Sequence, residues 1–225
     1  MRLSVAIRQA RVIAFRRRTP EMGSFVRVLA EGYARRDAEG RITASSSAVL
    51  IVDSGKKILA DPGANSGLIL AALRKEALNP EDIDIVFLTH PHPDHFLSIR
   101  LFPGSAVCDG AFLYVHDEEI PLAGKIPETS IEVVPTPGHA PDHASLLVDA
   151  AEGCWAVAGD VFWWWDEEVQ MTDTASLLAH PDELAQDMAL LRESRLKLLR
   201  RADILIPGHG RVFSTPRERR SDLNS

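Results

Sequence analysis

Thr89-His90-Pro91-His92-Pro93-Asp94-His95 is the stretch on which the reading of this chain turns. Four side chains able to bind a metal fall within six residues, directly after the apolar run formed by Ile83, Ile85, Val86, Phe87 and Leu88. A metal site needs imidazole nitrogens and carboxylate oxygens that converge at about 2.0–2.2 Å from the ion. Pro91 and Pro93 push His90 and His92 out of the helical region. Residues two apart in an extended segment point the same way, so His90 and His92 are expected to share one ion. His95 comes where the chain turns into a short helix, and is expected to point to a second ion.

Working outward, the same syntax recurs. Thr136-Pro137-Gly138-His139 follows a predicted strand at 131–135. Ala158-Gly159-Asp160 ends a strand at 155–158, and Pro207-Gly208-His209-Gly210 ends a strand at 202–206. Upstream, Asp61 closes a predicted hairpin of strands 49–53 and 57–61. Strand ends along one edge of a sheet form a rim where residues distant in sequence meet, and glycine permits close backbone approach there. Further strands are expected at 83–88, 105–108, 112–116 and 144–149, with helices at 66–78, 95–101 and 181–201. The last helix would carry Leu184, Met188, Leu191, Leu196 and Leu199 on one side. Strand pairs alternating with helices, with no linker or tandem repeat, predict a single α/β domain over residues 1–225.

Composition sets outer bounds. The chain has 225 residues, 45% hydrophobic and 25% charged, which excludes disordered and fibrous classes. The net charge of −7 is uneven: residues 1–41 sum to +6, residues 42–191 to −18 and residues 192–220 to +6. An acidic middle argues against a nucleic-acid track across it. Arg16, Arg17 and Arg18 form a short basic cluster. No apolar run approaches the ~20 residues that span a bilayer, and the N-terminus lacks the apolar segment of a secretory signal. Cys108 and Cys154 are too few for a disulfide framework and read as core residues. A cytoplasmic protein with no membrane partner is expected.

The ordered set Asp61, His90-x-His92-x-Asp94-His95, His139, Asp160 and His209 resembles the metallo-β-lactamase superfamily, most clearly over residues 45–213. The resemblance implies a four-layer αβ/βα sandwich with metals on one edge. It implies that His90, His92 and His139 hold one divalent ion, that Asp94, His95 and His209 hold a second, and that Asp160 bridges both. Asp61 and His143 would support these ligands from behind. An aspartate at 160 is a feature of the glyoxalase II, lactonase and RNase Z-like branches. The common zinc β-lactamases carry cysteine there and usually lack a counterpart of His95, so the resemblance does not extend to β-lactam hydrolysis. The ligand set suits Zn²⁺, although iron and manganese accept it too.

Two ions flanking one water would lower its pKa towards ~7, with Asp94 orienting the water and taking its proton. The resulting expectation is a dinuclear hydrolase of an ester, thioester or lactone. One alternative is a metal-dependent phosphodiesterase or ribonuclease, which the basic ends favour. The other is a mononuclear-iron persulfide dioxygenase, whose last motif differs from Pro207-Gly208-His209-Gly210. The expected partner is a small molecule, with RNA as the alternative. Trp163, Trp164 and Trp165 cannot all face one core, so at least one is expected at the site mouth as a substrate wall or at a homodimer contact. His180, on the loop after Asp160, is a further pocket candidate. His116 reads as a surface residue.

Overall fold

The computed structural model describes residues 23–215. The Arg16–Arg18 cluster and the N-terminus weighed above as a signal lie outside the described residues. Near-continuous apolar runs, buried on both faces in the central strands, build two sheets among the described residues. One has the strand order β1 (Phe25–Ala30), β4 (Ala48–Asp53), β5 (Lys56–Ala60), β6 (Ile85–Phe87), β7 (Ala106–Cys108), β8 (Phe112–Val115), β9 (Glu118–Pro121). The other runs β10 (Glu132–Pro135), β11 (Ala144–Ala150), β12 (Gly153–Trp163), β13 (Ile204–His209), β14 (Phe213–Ser214). A separate hairpin pairs β2 (Tyr33–Arg36) with β3 (Ile42–Ser45). Among the described residues four α-helices accompany them: α1 (Ser66–Lys75), α2 (Pro93–Phe96), α3 (Thr174–Ala179) and α4 (Met188–Arg201).

Alternation along each strand assigns the layers. Val49, Ile51, Ile58, Ala60, Ile85 and Phe87 point inward and meet Val133, Leu146, Val148, Val157 and Ile206 of the second sheet. Their neighbours Leu50, Leu59 and Val86 point outward and pack on Ile69 and Leu73 of α1. On the other side Leu147, Ala156, Ala158 and Leu205 pack on Leu177 of α3 and on Leu191, Leu198 and Leu199 of α4. The result is the expected four-layer αβ/βα sandwich. Each fully buried aliphatic side chain contributes about 1.5–3 kcal/mol relative to exposure.

Several boundaries differ from the sequence reading, each for a local reason. The helix expected from residue 181 begins at Met188, because the Asp187 side chain accepts hydrogen bonds from the backbone N–H groups of Ala189 and Leu190. Its buried face is Leu191, Ser194, Arg195, Leu198 and Leu199, whereas Leu184 and Met188 are exposed. The helix at 66–78 stops at Lys75, and residues 95–101 divide between the end of α2 and a 3₁₀ turn. Strand β12 does not end at Ala158. It runs on to Trp163, with register shifts on either side of Gly159, so Asp160 sits within an irregular strand. Strands β1, β2, β3, β9 and β14 are not among the expected elements; charged residues dilute the apolar pattern of β2 and β9, and β3 and β14 are short and partly polar. Among the described residues no helix is long and apolar enough to cross a membrane.

Leu146 is fully buried between the sheets and Leu68 is 39% exposed on α1. Leu146→Ala should lower the free energy of unfolding by about 2–5 kcal/mol, and Leu68→Ala by less than about 0.5 kcal/mol. Urea denaturation of both variants checks this.

Candidate metal centre

The strand ends gather their side chains as two adjoining donor groups. His90, His92, His139 and Asp160 form one, and Asp94, His95 and His209 form the other, with the donor atoms of each group within 4.8 Å of one another. The extended backbone of His92, just before Pro93, keeps His90 and His92 on one side. His95 follows on the first turn of α2 and is aimed elsewhere. Asp160 lies between the groups. Its Oδ2 is 3.4 Å from His139 Nε2 and 3.7 Å from His90 Nε2; its Oδ1 is 3.3 Å from His95 Nε2 and 3.7 Å from His209 Nε2.

Two pairs of these atoms meet one another, His92 Nδ1 with His139 Nε2 at 3.0 Å and His209 Nε2 with Asp94 Oδ2 at 3.1 Å. His90 Nε2, His95 Nε2 and Asp160 Oδ1 are buried with no hydrogen-bond partner. An unmatched buried polar atom costs about 1–3 kcal/mol, and three together in one pocket fit divalent ions as the missing partners. Five imidazoles, two carboxylates and no thiolate form a donor set suited to zinc.

The far side of four of the five rings is fixed, those of His90, His95, His139 and His209. Thr89 Oγ1 donates to Asp61 Oδ2 at 2.8 Å and lies 3.0 Å from His90 Nδ1. Because the threonine proton goes to the carboxylate, His90 Nδ1–H is the donor and Nε2 keeps its lone pair. His95 Nδ1 donates to Asp61 Oδ2 at 2.9 Å. His139 Nδ1 donates to Asp182 Oδ2 at 2.8 Å, and His209 Nδ1 to the Tyr33 carbonyl at 3.1 Å. Carboxylates and a carbonyl only accept, so these partners hold each ring in the tautomer that a ligand needs. Asp61 adopts a φ of 48°, a left-handed conformation that Asp tolerates better than most residues.

His143 belongs to a different chain of bonds. The Asp160 N–H donates to His143 Nε2 at 3.2 Å. His143 Nδ1–H then points at Thr136 Oγ1, which donates to Ser145 Oγ, which donates to the Ala158 carbonyl. With both ring nitrogens spent, His143 positions the Asp160 backbone and does not ligate. Burial pulls its pKa down to about 3, which keeps it neutral. Two glycines are required here. A Cβ on Gly159, whose φ is +54°, would meet His143 Nε2 and Thr89 Oγ1 at 2.7 Å, and one on Gly208 would lie 1.7 Å from Asp160 Oδ1.

Electrostatics follow from burial opposed by neighbours. Burial works against a charge on His95, but Asp160 and Asp61 outweigh it and hold its pKa well above the ordinary value. Burial raises the Asp160 carboxyl, and His95 and His209 outweigh that and hold it well below the carboxylate range. Burial pushes the Cys108 thiol up to about 12 and the Cys154 thiol up to about 11, so neither is a nucleophile.

A cleft of about 560 Å³ opens over the centre, and Asp94, Asp160, His92 and His209 lie on its floor. The tryptophan run divides by strand alternation. Trp163 and Trp165 line the cleft, while Trp164 turns away and packs edge-on against Phe213. His180 is not part of the cleft lining. Its ring is tilted against Trp164 and its Nε2 donates to the Trp163 carbonyl, so it cannot reach inward. The residue of that loop that acts on the centre is Asp182, two positions later, and it was not foreseen. Neither was the Tyr33 carbonyl, which has no signature in side-chain identity. His116 is exposed in the turn between β8 and β9.

A family model described as the metallo-β-lactamase superfamily matches residues 42–111. The chain is 30% identical over 198 residues to metallo-β-lactamase domain-containing protein 1 of Xenopus laevis, covering 84% of this chain and 80% of that protein. It is 31% identical over 220 residues to the protein of the same name in Mus musculus, covering 87% and 76%. Among solved structures, a metallo-β-lactamase-type protein of Thermotoga maritima superimposes with a TM-score of 0.63 at 19% identity, covering 85% of this chain and 99% of that one. At that identity the likeness is one of fold.

Removing the support behind His139 tests the arrangement. Asp182→Ala should weaken zinc binding about 10–100-fold, as loss of such a partner commonly does, while Asp117→Ala in an exposed turn should leave it unchanged. Chelator competition measures both. His143→Ala should cost about 1–3 kcal/mol of stability by orphaning the Asp160 N–H, read by urea denaturation of the metal-free chain.

Proposed function

Because this chain belongs to the metallo-β-lactamase superfamily, we propose that it is a dinuclear metal-dependent hydrolase, with zinc as its metal, that cleaves an ester, thioester or lactone. The observation that carries the reading is the convergence of unpartnered donor atoms from separate strand ends on Asp160, at the floor of an open cleft. His90, His92 and His139 would hold one ion and Asp94, His95 and His209 the other, and Asp160 would serve both. Two such ions when bound lower the pKa of a shared water towards ~7 and stabilise negative charge developing on a carbonyl oxygen.

The chain's own groups supply the rest. Asp94 reaches the cleft, with its side chain 26% exposed and its Oδ2 3.1 Å from His209 Nε2. Asp94 orients the attacking water and accepts its proton at a carboxylate oxygen. As oxygen adds to the carbonyl carbon and the bond to the alkoxide or thiolate breaks, Asp94 passes that proton to the leaving group. The products are a carboxylic acid and an alcohol or thiol, and no protein nucleophile is consumed. Asp61, Asp182 and the Tyr33 carbonyl keep the rings from rotating during the reaction.

Metal analysis followed by a substrate panel tests this. Two zinc ions per chain are expected, with hydrolysis of a thioester, an aryl ester or a lactone. Asp94→Ala should lower kcat by about 10²–10⁴-fold, the range typical of a lost general base. A single iron with oxygen uptake, or turnover confined to phosphodiesters and RNA, would overturn the reading. So would an Asp94→Ala variant that loses neither turnover nor metal.

A further inference from the structure

The cleft over the metal centre has an uneven chemistry. Its ionisable lining residues are His92, Asp94, Asp160 and His209, and all four belong to the proposed ligand set. Every other side chain that lines it is apolar, chiefly Ile42, Ala44, Leu97, Trp163, Trp165 and Leu184. No lysine or arginine is among the lining residues. Three of these apolar groups stand open to water, with Ile42 53%, Leu97 47% and Leu184 47% exposed. Large aliphatic side chains left exposed around a cavity mark a binding surface.

The nearby cations are already engaged. Arg35 is paired with Asp166, and Arg36 is paired with Glu183 at 2.8 Å while its guanidinium lies 4.6 Å over the Trp165 ring. Those contacts tie the β2–β3 hairpin to the segment after β12, and they brace Trp165 from outside. A chain of phosphates entering this cleft would meet positive charge only at the metal centre itself, and along the rest of the cleft would give up its hydration to hydrocarbon with no lysine or arginine beside it. A hydrocarbon would lose only unfavourable contact with water.

We infer that the cleft selects a substrate whose acyl part is an uncharged hydrocarbon chain of medium length, seated between the β2–β3 hairpin and the Trp163–Trp165 wall. This rests on the hydrolase reading above, whose scissile carbonyl lies at the cleft floor. A cavity of about 560 Å³ suits one small molecule. Ala44, small and part of the hairpin wall, leaves the space that the chain occupies; Ile42 and Leu97 cover it at the rim.

Calorimetric titration of the zinc-loaded full chain with straight-chain carboxylates, from butanoate to decanoate, tests the inference without turnover. Affinity should rise about threefold to fourfold per added methylene, the factor expected for burying one CH₂, until the cleft is filled. Ala44→Phe should end that rise at a shorter chain. Should Ala44→Phe fail to fold, Ile42→Asp at its exposed position should weaken decanoate by about tenfold or more and leave butanoate unchanged. Affinity that does not vary with chain length would overturn the inference, as would displacement of decanoate by a short oligoribonucleotide at equal concentration. A protein that binds the series in this graded way yet hydrolyses none of the matching thioesters would refute the hydrolase reading alone. One that hydrolyses short and long acyl groups equally, with flat binding, would refute this inference alone.

Discussion

Asp160 is a carboxylate withdrawn from water, only 4% exposed, with four imidazole nitrogens between 3.3 and 3.7 Å from its oxygens. The cost of burying an unpaired charge is large enough that such a group persists only where positive charge is supplied to it. Much of the site can be understood as the means of supplying it. The irregular strand around Gly159 lifts the carboxylate out of the regular ladder of β12, and Gly208 on the neighbouring strand leaves the room it needs. The bond from its N–H to His143 then fixes where the backbone stands. A side chain at Gly208 would displace the carboxylate itself, and one at Gly159 would push on His143 and Thr89, which support the site.

Around that centre lies a ring of groups that only accept hydrogen bonds. Asp61, Asp182 and the Tyr33 carbonyl come from three separate parts of the chain, and each takes the outer proton of one histidine. The ring links layers as well as orienting ligands. Asp61 follows β5 and accepts from Thr89 just after β6, while the Ala144 N–H of the second sheet donates to the Thr89 carbonyl at 2.9 Å. The same few bonds therefore hold the two sheets in register at the edge where the metals would sit. Arg195 extends this order from behind: fully buried, it donates to the carbonyls of Val161 and His180, and so anchors both the strand after Asp160 and the loop that leads to Asp182.

The wall of the cleft arises from the same alternation that builds the core. Trp163 and Trp165 fall on one face of the extended chain and Trp164 on the other, so one run of three rings serves both substrate cleft and interior. The hairpin of β2 and β3 supplies the opposite wall, and its arginines are spent on holding Trp165 and the neighbouring segment in place.

The sequence by itself determined the order of strands and helices and the set of candidate ligand residues. Short apolar runs bounded by turn residues mark the central strands, and His90-Pro91-His92-Pro93-Asp94-His95 carries its own geometry because the prolines constrain a few consecutive residues. Such signals are local. The short, weakly apolar strands β2 and β3 left no comparable trace, and the start of α4 depended on which of several acidic residues served as its cap. Tertiary structure alone decided what stands behind each ligand. Asp182 lies 43 residues from His139 and Tyr33 lies 176 from His209, and no spacing rule links such pairs. It also decided that His180 faces Trp164 while Asp182 faces the centre, and that Arg35 and Arg36 are neutralised by Asp166 and Glu183. Those outcomes depend on how distant segments pack, since a hydrogen bond or an ion pair acts over a few ångströms and is indifferent to the length of chain between its partners.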